Sequence, residues 1–134
     1  MSQGNVSIAE QAVEAFNARD VARFASLTAP GFEWFPSMIA IEGQSFRGTD
    51  GVALYFDELA KAWHHFHVTP GRYLEGDGLV LLLGRLEGRG LTSGATVNSP
   101  LGMAFDLSDR SIMRIRGFLD HDEAVAAVGL AGPA

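Results

Sequence analysis

The chain has 134 residues, no cysteine, and 16 acidic against 10 basic residues, for a formal charge of -6. That length fits a single domain with a self-sufficient core, and the absence of cysteine removes disulfides, thiolate metal ligands and thiol nucleophiles together. The arginines are dispersed and Lys61 is the single lysine, which argues against a nucleic-acid surface, since that needs clustered positive charge.

In chain order, Met1 to Ser7 carries neither the basic nor the apolar region of a secretion signal, so the chain reads as cytoplasmic. Ser7-Ile8-Ala9-Glu10 is a capping box, and Ile8, Ala12, Val13 and Phe16 follow helical spacing to about Ala18. Asp20 caps a second, shorter helix with Val21, Phe24 and Leu27 on its apolar face, ended by Ala29-Pro30-Gly31. Residues 32–35 read as a short strand stopped by Pro36. A loop with Glu42, Gly43 and Gly48 follows, and Thr49 and Asp50 cap the third and longest helix. Its stripe is Val52, Tyr55, Phe56, Leu59 and Trp63, and it ends near His64 or His65.

The second half reads as strands. Residues 68–75 and 79–89 flank Gly76-Asp77-Gly78, a hairpin signal. The aliphatic run 79–83 is far shorter than the ~20 residues of a membrane span, so it is a buried strand and no membrane partner is implied. Gly88, Gly90, Ser93 and Gly94 interrupt the second strand. Residues 97–107 form the next, with Pro100 at an edge or bulge, and residues 112–120 the last; residues 122–128 form a short helix or fray. Helices first and strands after mean an α+β domain spanning residues 1–134, ordered over about 7–130. The composition is 47% hydrophobic and 19% charged. Such a chain has surplus apolar surface, which must line a pocket, a subunit interface or both. Apolar residues on both faces of the strand at 79–83 suggest a homodimer.

Two stretches, FNARDVARFASLTAPGFEWFP and DLSDRSIMRIRGFLDHDEAVAAVGL, with FRGTDGV between them, resemble the SnoaL-like branch of the nuclear transport factor 2-like superfamily, which includes ketosteroid isomerases. The resemblance implies a cone-shaped fold, three N-terminal helices packed on a curved antiparallel sheet, with an apolar pocket inside for a small ligand. It also implies dimerisation through the sheet. The isomerases' base, tyrosine and partner acid fall on Phe35, Ala12 and Met103, all apolar, so that mechanism is not expected here. The Arg-x-Asp of the superfamily's epoxide hydrolases falls on Arg85-Leu86-Glu87. Their second acid falls on Gly117, and their tyrosine-asparagine pair near Trp34 and Pro36.

Glu87, positioned by Arg85, is therefore the expected general acid/base for cofactor-independent cyclase, isomerase or epoxide-hydrolase chemistry, with Asp106 and Asp120 as weaker candidates. Alternation places Arg85 and Glu87 on one strand face with Leu79, Leu81 and Leu83. The bland reading of Arg85 and Glu87 is an ion pair at the sheet rim extended by Arg89. On the last strand, Met113, Ile115, Gly117 and Leu119 suit a pocket wall, and Arg114, Arg116, Phe118 and Asp120 the outer face. The expected ligand contacts are Trp34, Tyr55, Trp63, His65, Leu83, Met103 and Phe105, with Trp34 and Trp63 nearest the mouth because their ring nitrogens want partners. Core packing alone accounts for most of these aromatics. His64, His65 and His67 cluster; extended backbone would put His65 and His67 on one face, with Glu75 and His121 as further donors, and zinc then becomes conceivable. The plainer account is histidine at a helix C-terminus, and no metal or cofactor is assigned. The second reading of the whole chain is a non-catalytic ligand-binding or interaction domain on the same fold.

Overall fold

In a computed structural model, which describes residues 3–36 and 45–129, helix α1 (Gln3–Ala18) starts ahead of the expected capping box. Ser7 lies inside the helix, where its Oγ accepts from Gln11 Nε2 at 3.2 Å. Arg19 then takes a left-handed conformation, φ 57°, and Asp20 caps α2 (Val21–Ser26) as expected, accepting from the Arg23 backbone N–H at 3.0 Å. Strand β1 (Thr28–Phe35) ends before Pro36, and β2 (Phe46–Arg47) leads into α3 (Gly48–Ala62). Neither Thr49 nor Asp50 caps α3: the cap position is Arg47, with no side-chain cap bond, and Gly48 turns the chain at φ 64°. The expected loop residues Glu42 and Gly43 lie outside the described residues.

The strands β3 (Trp63–Gly76), β4 (Leu79–Gly90), β5 (Thr96–Ser108) and β6 (Ser111–Phe118) follow, and α4 (His121–Val128) forms a helix after them. The sheet order is β2-β1-β6-β5-β4-β3. It is mixed rather than wholly antiparallel, because β1 runs parallel to β6. Trp63, expected to end the stripe of the third helix, is instead the first residue of β3, so the histidines stand on a strand. The Gly76-Asp77-Gly78 turn is where expected, with Gly78 at φ 65°. Glycines 88 and 90 do not interrupt β4, which carries through to Gly90. Pro100 sits past the last β5–β6 pair, Gly102 with Phe118. Its missing N–H therefore costs no ladder bond there.

Residues alternate across the sheet into two apolar layers. Val80, Leu82, Leu86, Leu101, Met103 and Phe105 join the helices in the main core, while Leu81, Leu83 and Ala104 pack with Ala124 of α4 on the opposite face. Eight aromatics of the main core lie within centroid distances of 6.5 Å, with Trp34 stacked on Phe24 at 4.8 Å and 2°. A bulge between Asp106 and Leu107 brings Ile112 as well as Ile115 inward. It turns Met113, expected on the pocket wall, out to solvent, and Leu119 is exposed as well.

Candidate functional site

Three helices of the fold bring their apolar faces to the inner side of the sheet because each stripe has nothing else to cover it. Between them a small cavity remains, lined by Phe16, Trp34, Tyr55, Phe66, Leu86, Leu101 and Met103 together with Pro36, Val68 and Gly117. Its free volume is about 20 Å³, room for one water. Among the described residues of this lining, the Tyr55 hydroxyl and the Trp34 ring nitrogen are the polar side-chain atoms. Burial pushes the Tyr55 phenol well above its ordinary value, opposed in part by the Arg19 cation, so Tyr55 is a neutral donor at any physiological pH. Arg19 closes this end of α1: its guanidinium lies 4.6 Å from the Phe16 ring centroid and donates to the Phe16 and Phe66 carbonyls.

Three expected ligand contacts, Trp34, Tyr55 and Met103, thus meet in one place. Trp34 is at the centre of the core rather than at a mouth, only 2% exposed. Phe105 is fully buried in the core and is not among the lining residues. Leu83 faces the other way, beneath α4. Trp63 and His65 line a separate open groove with Asn17, Arg19, Leu59 and Leu91. Phe66 belongs to both the groove and the cavity.

Arg85 and Glu87 share a strand face as expected, but it is the outer one. The residue that reaches the cavity is Leu86 between them. The two do not pair with each other: Arg85 Nε donates to Asn98 Oδ1 at 2.9 Å. Glu87 stands across the β3–β4 ladder from His67. One carboxylate oxygen of Glu87 and one ring nitrogen each of His65 and His67 lie within 4.8 Å of one another. Neither Glu75 nor His121 completes that group; His121 Nε2 is 2.9 Å from the Gly84 carbonyl oxygen, to which it donates. Asp106 is engaged by Arg114 at 2.8 Å and Arg116 at 3.5 Å, and Asp120 caps α4 through the Glu123 N–H at 2.9 Å. Both weaker acid candidates therefore have structural partners.

A family model for the SnoaL-like domain matches residues 9–115. The chain belongs to the SnoaL-like family. Solved structures agree on the fold. An NTF2-like protein of unknown function from Burkholderia pseudomallei superposes with a TM-score of 0.78 at 16% identity, covering 92% of this chain and 95% of that one. A putative polyketide cyclase from Xanthomonas campestris gives 0.77 at 19% identity, covering 95% and 98%. TerC, co-crystallised with polyporic acid, gives 0.76 at 19% identity, covering 95% and 97%. No curated protein matches the chain.

For a SnoaL-like chain, the cavity-lining residues that sequence reasoning did not name as ligand contacts include Phe16, Phe66, Val68, Leu86 and Leu101. Phe16 and Leu86 had a signal. Phe16 ends the apolar stripe of α1, and Leu86 continues the inward parity of Val80 and Leu82 once the outer layer is assigned to α4. No helix of the described residues is long and apolar enough to cross a membrane.

Proposed function

We propose that this SnoaL-like chain binds a small, neutral, largely aromatic molecule in the cone-like space between helices and sheet, with Tyr55 donating a hydrogen bond to an oxygen of the ligand. The observation that carries the reading is the lining itself: aromatic and aliphatic walls that include Tyr55 and Trp34, each with one polar side-chain atom, the usual make-up of a small-molecule site. A ligand larger than water displaces side chains, and Met103 is the adaptable one, being unbranched with several rotatable bonds. Phe66 is the wall shared with the groove, and its rotation would join the two spaces. Co-crystallisation of TerC with polyporic acid supports ligand binding by this fold, not the identity of the ligand.

Acid/base chemistry by Glu87 and Arg85 on such a ligand is not part of this reading, because the β4 backbone separates them from the cavity. The homodimer suggested by apolar residues on both faces at 79–83 loses the support of Leu81 and Leu83, since α4 packs on them.

The test uses 1-indanone, a small aromatic ketone, followed by thermal shift and tryptophan fluorescence. Saturable binding is expected, weakened about three- to tenfold in Tyr55→Phe, the worth of one hydrogen bond, and lost in Leu101→Trp, which fills the cavity. Undiminished binding by a folded Leu101→Trp protein would place the ligand elsewhere. No binding of this ketone or its close analogues would count against the reading.

A further inference from the structure

We propose that His65, His67 and Glu87 bind one divalent first-row transition-metal ion such as Zn²⁺ on the outer face of the β3–β4 ladder. β3 is the edge strand of the sheet. A bulge between Trp63 and His65 sets the register so that His67 is opposite Glu87 and His65 opposite Arg89. His65 and His67 project from the same strand face, their rings 5.0 Å apart and at 90°. The three donor atoms lie within 4.8 Å of one another. Donors around a tetrahedral zinc with bonds of ~2.1 Å are ~3.4 Å apart, so modest side-chain rotation closes the site. His65 is exposed and the other two are half-buried, which leaves that freedom. Two hydrogen-bonded strands hold the three Cα positions, so the entropy of gathering the ligands has already been spent in folding.

The chemistry of the donor set is specific. Two imidazoles and one carboxylate suit zinc, iron, nickel and copper, and leave at least one open coordination position. The His67 ring also has a polar neighbour on its own strand: its Nε2 lies 3.3 Å from Thr69 Oγ1, which leaves Nδ1 for an ion. A ring held through one nitrogen presents the other as the ligand. The two cations that flank Glu87 along the strand are Arg85 and Arg89. Arg85 is turned onto Asn98, Arg89 stands across the ladder from His65, and among the described residues neither guanidinium forms an ion pair with Glu87 within 4.0 Å. The site is on the opposite side of the sheet from the interior cavity and does not depend on the ligand proposed for it.

The experiment titrates Zn²⁺ into the full-length untagged chain by calorimetry, with thermal unfolding alongside. One saturating equivalent per chain is expected, together with a raised unfolding midpoint, since an ion that binds the folded form stabilises it. His67→Ala and Glu87→Gln are each expected to weaken binding by more than about tenfold, as loss of a direct ligand should exceed the tenfold lower end for orienting partners. His64→Ala, one residue outside the set, is expected to bind as the parent does. Glu87→Gln is nearly isosteric, so an unchanged metal-free midpoint separates loss of a ligand from loss of the fold; His67→Asn serves the same purpose at the second position. Absence of saturable binding overturns the proposal. So does affinity unchanged by Glu87→Gln or by His67→Ala, or lost equally in His64→Ala, because the ion would then be held by surface histidines alone.

Discussion

Arg19 shows how much one side chain does at the end of α1. It sits at φ 57°, a conformation that L residues adopt at some cost, and its fork donates to two carbonyls, Phe16 on its own helix and Phe66 on β3. Asn17 adds a second tie to the same strand, donating to the Val68 carbonyl and accepting from its N–H, both at 2.9 Å. Arg19→Ala removes a side-chain donor from the Phe16 and Phe66 carbonyls, of which Phe16 keeps the backbone N–H of residue 19 at 3.0 Å, and uncovers the Phe16 ring. A loss of ~2 kcal/mol in urea unfolding is expected, and Arg19→Lys recovers only part of it, because an ammonium cannot span both acceptors. Tyr55 makes a second prediction at this scale. Its folded pKa lies above 10, raised by burial, so the folded and unfolded chains both keep the phenol protonated below pH 10. Above pH 10 the unfolded chain ionises first, and stability falls as pH rises, by at most ~1.4 kcal/mol per unit from this group. Tyr73, pushed up to about 12 by burial, adds a smaller decline in the same direction, since it is only half-buried. Unfolding midpoints between pH 9 and 11.5 are expected to drop less steeply in Tyr55→Phe than in the parent. The sequence made Tyr55, Trp34 and Met103 legible as inner residues because their elements keep unbroken periodicity. It set Arg85 and Glu87 towards the pocket rather than on the outer face for a definite reason. β4 is apolar on both faces up to Gly84, so alternation pairs the residues correctly without saying which set faces in.

Elements were more legible than their ends. Helices α1 to α3 and the hairpin at Gly76-Asp77-Gly78 follow from apolar spacing and turn chemistry, whereas the caps at Ser7 and at Thr49 and Asp50 were misplaced. A capping box is a local pattern, and a helix that gains contacts by running further back extends past it. The parallel β1–β6 pairing had no local signal at all, since it depends on where a distant strand edge is left open. What fixes α4 on the sheet is also non-local. Gly102 of β5 is packed so closely against α4 that a Cβ there would collide with the Ala124 methyl. Gly102→Ala is therefore expected to lower stability by ~1–3 kcal/mol. Ala124→Gly alone costs about 1 kcal/mol through helix propensity. In the double variant the two losses should not add, because the glycine on α4 gives back the space the new methyl takes. A strictly additive double variant, measured by denaturant unfolding, would mean that α4 is not seated on Gly102.

At the scale of the whole molecule, one sheet separates two unlike surfaces. The inner face meets the helices and carries the aromatic cavity, and the outer face carries α4 at one end and the histidine and glutamate group at the other. Most of the apolar residues fall into these two layers, while Leu54, Leu91, Met113 and Leu119 stay exposed. α4 covers part of the outer layer, packing Ala124 against Leu81, Leu83 and Ala104. Removing residues 121–134 uncovers Leu81, Leu83 and Ala104, which α4 helps to bury, and an uncovered contiguous apolar patch on a sheet face is an association surface. The truncated chain is expected to sediment as concentration-dependent larger species, with a circular-dichroism spectrum that keeps its strand content. Leu83→Lys in the truncated background places a charge at the centre of the patch and should return the chain to the parent's sedimentation behaviour. Association that survives Leu83→Lys would come from unfolding rather than from the uncovered face, and a truncated chain that sediments as the parent does would show that α4 covers nothing the sheet needs covered.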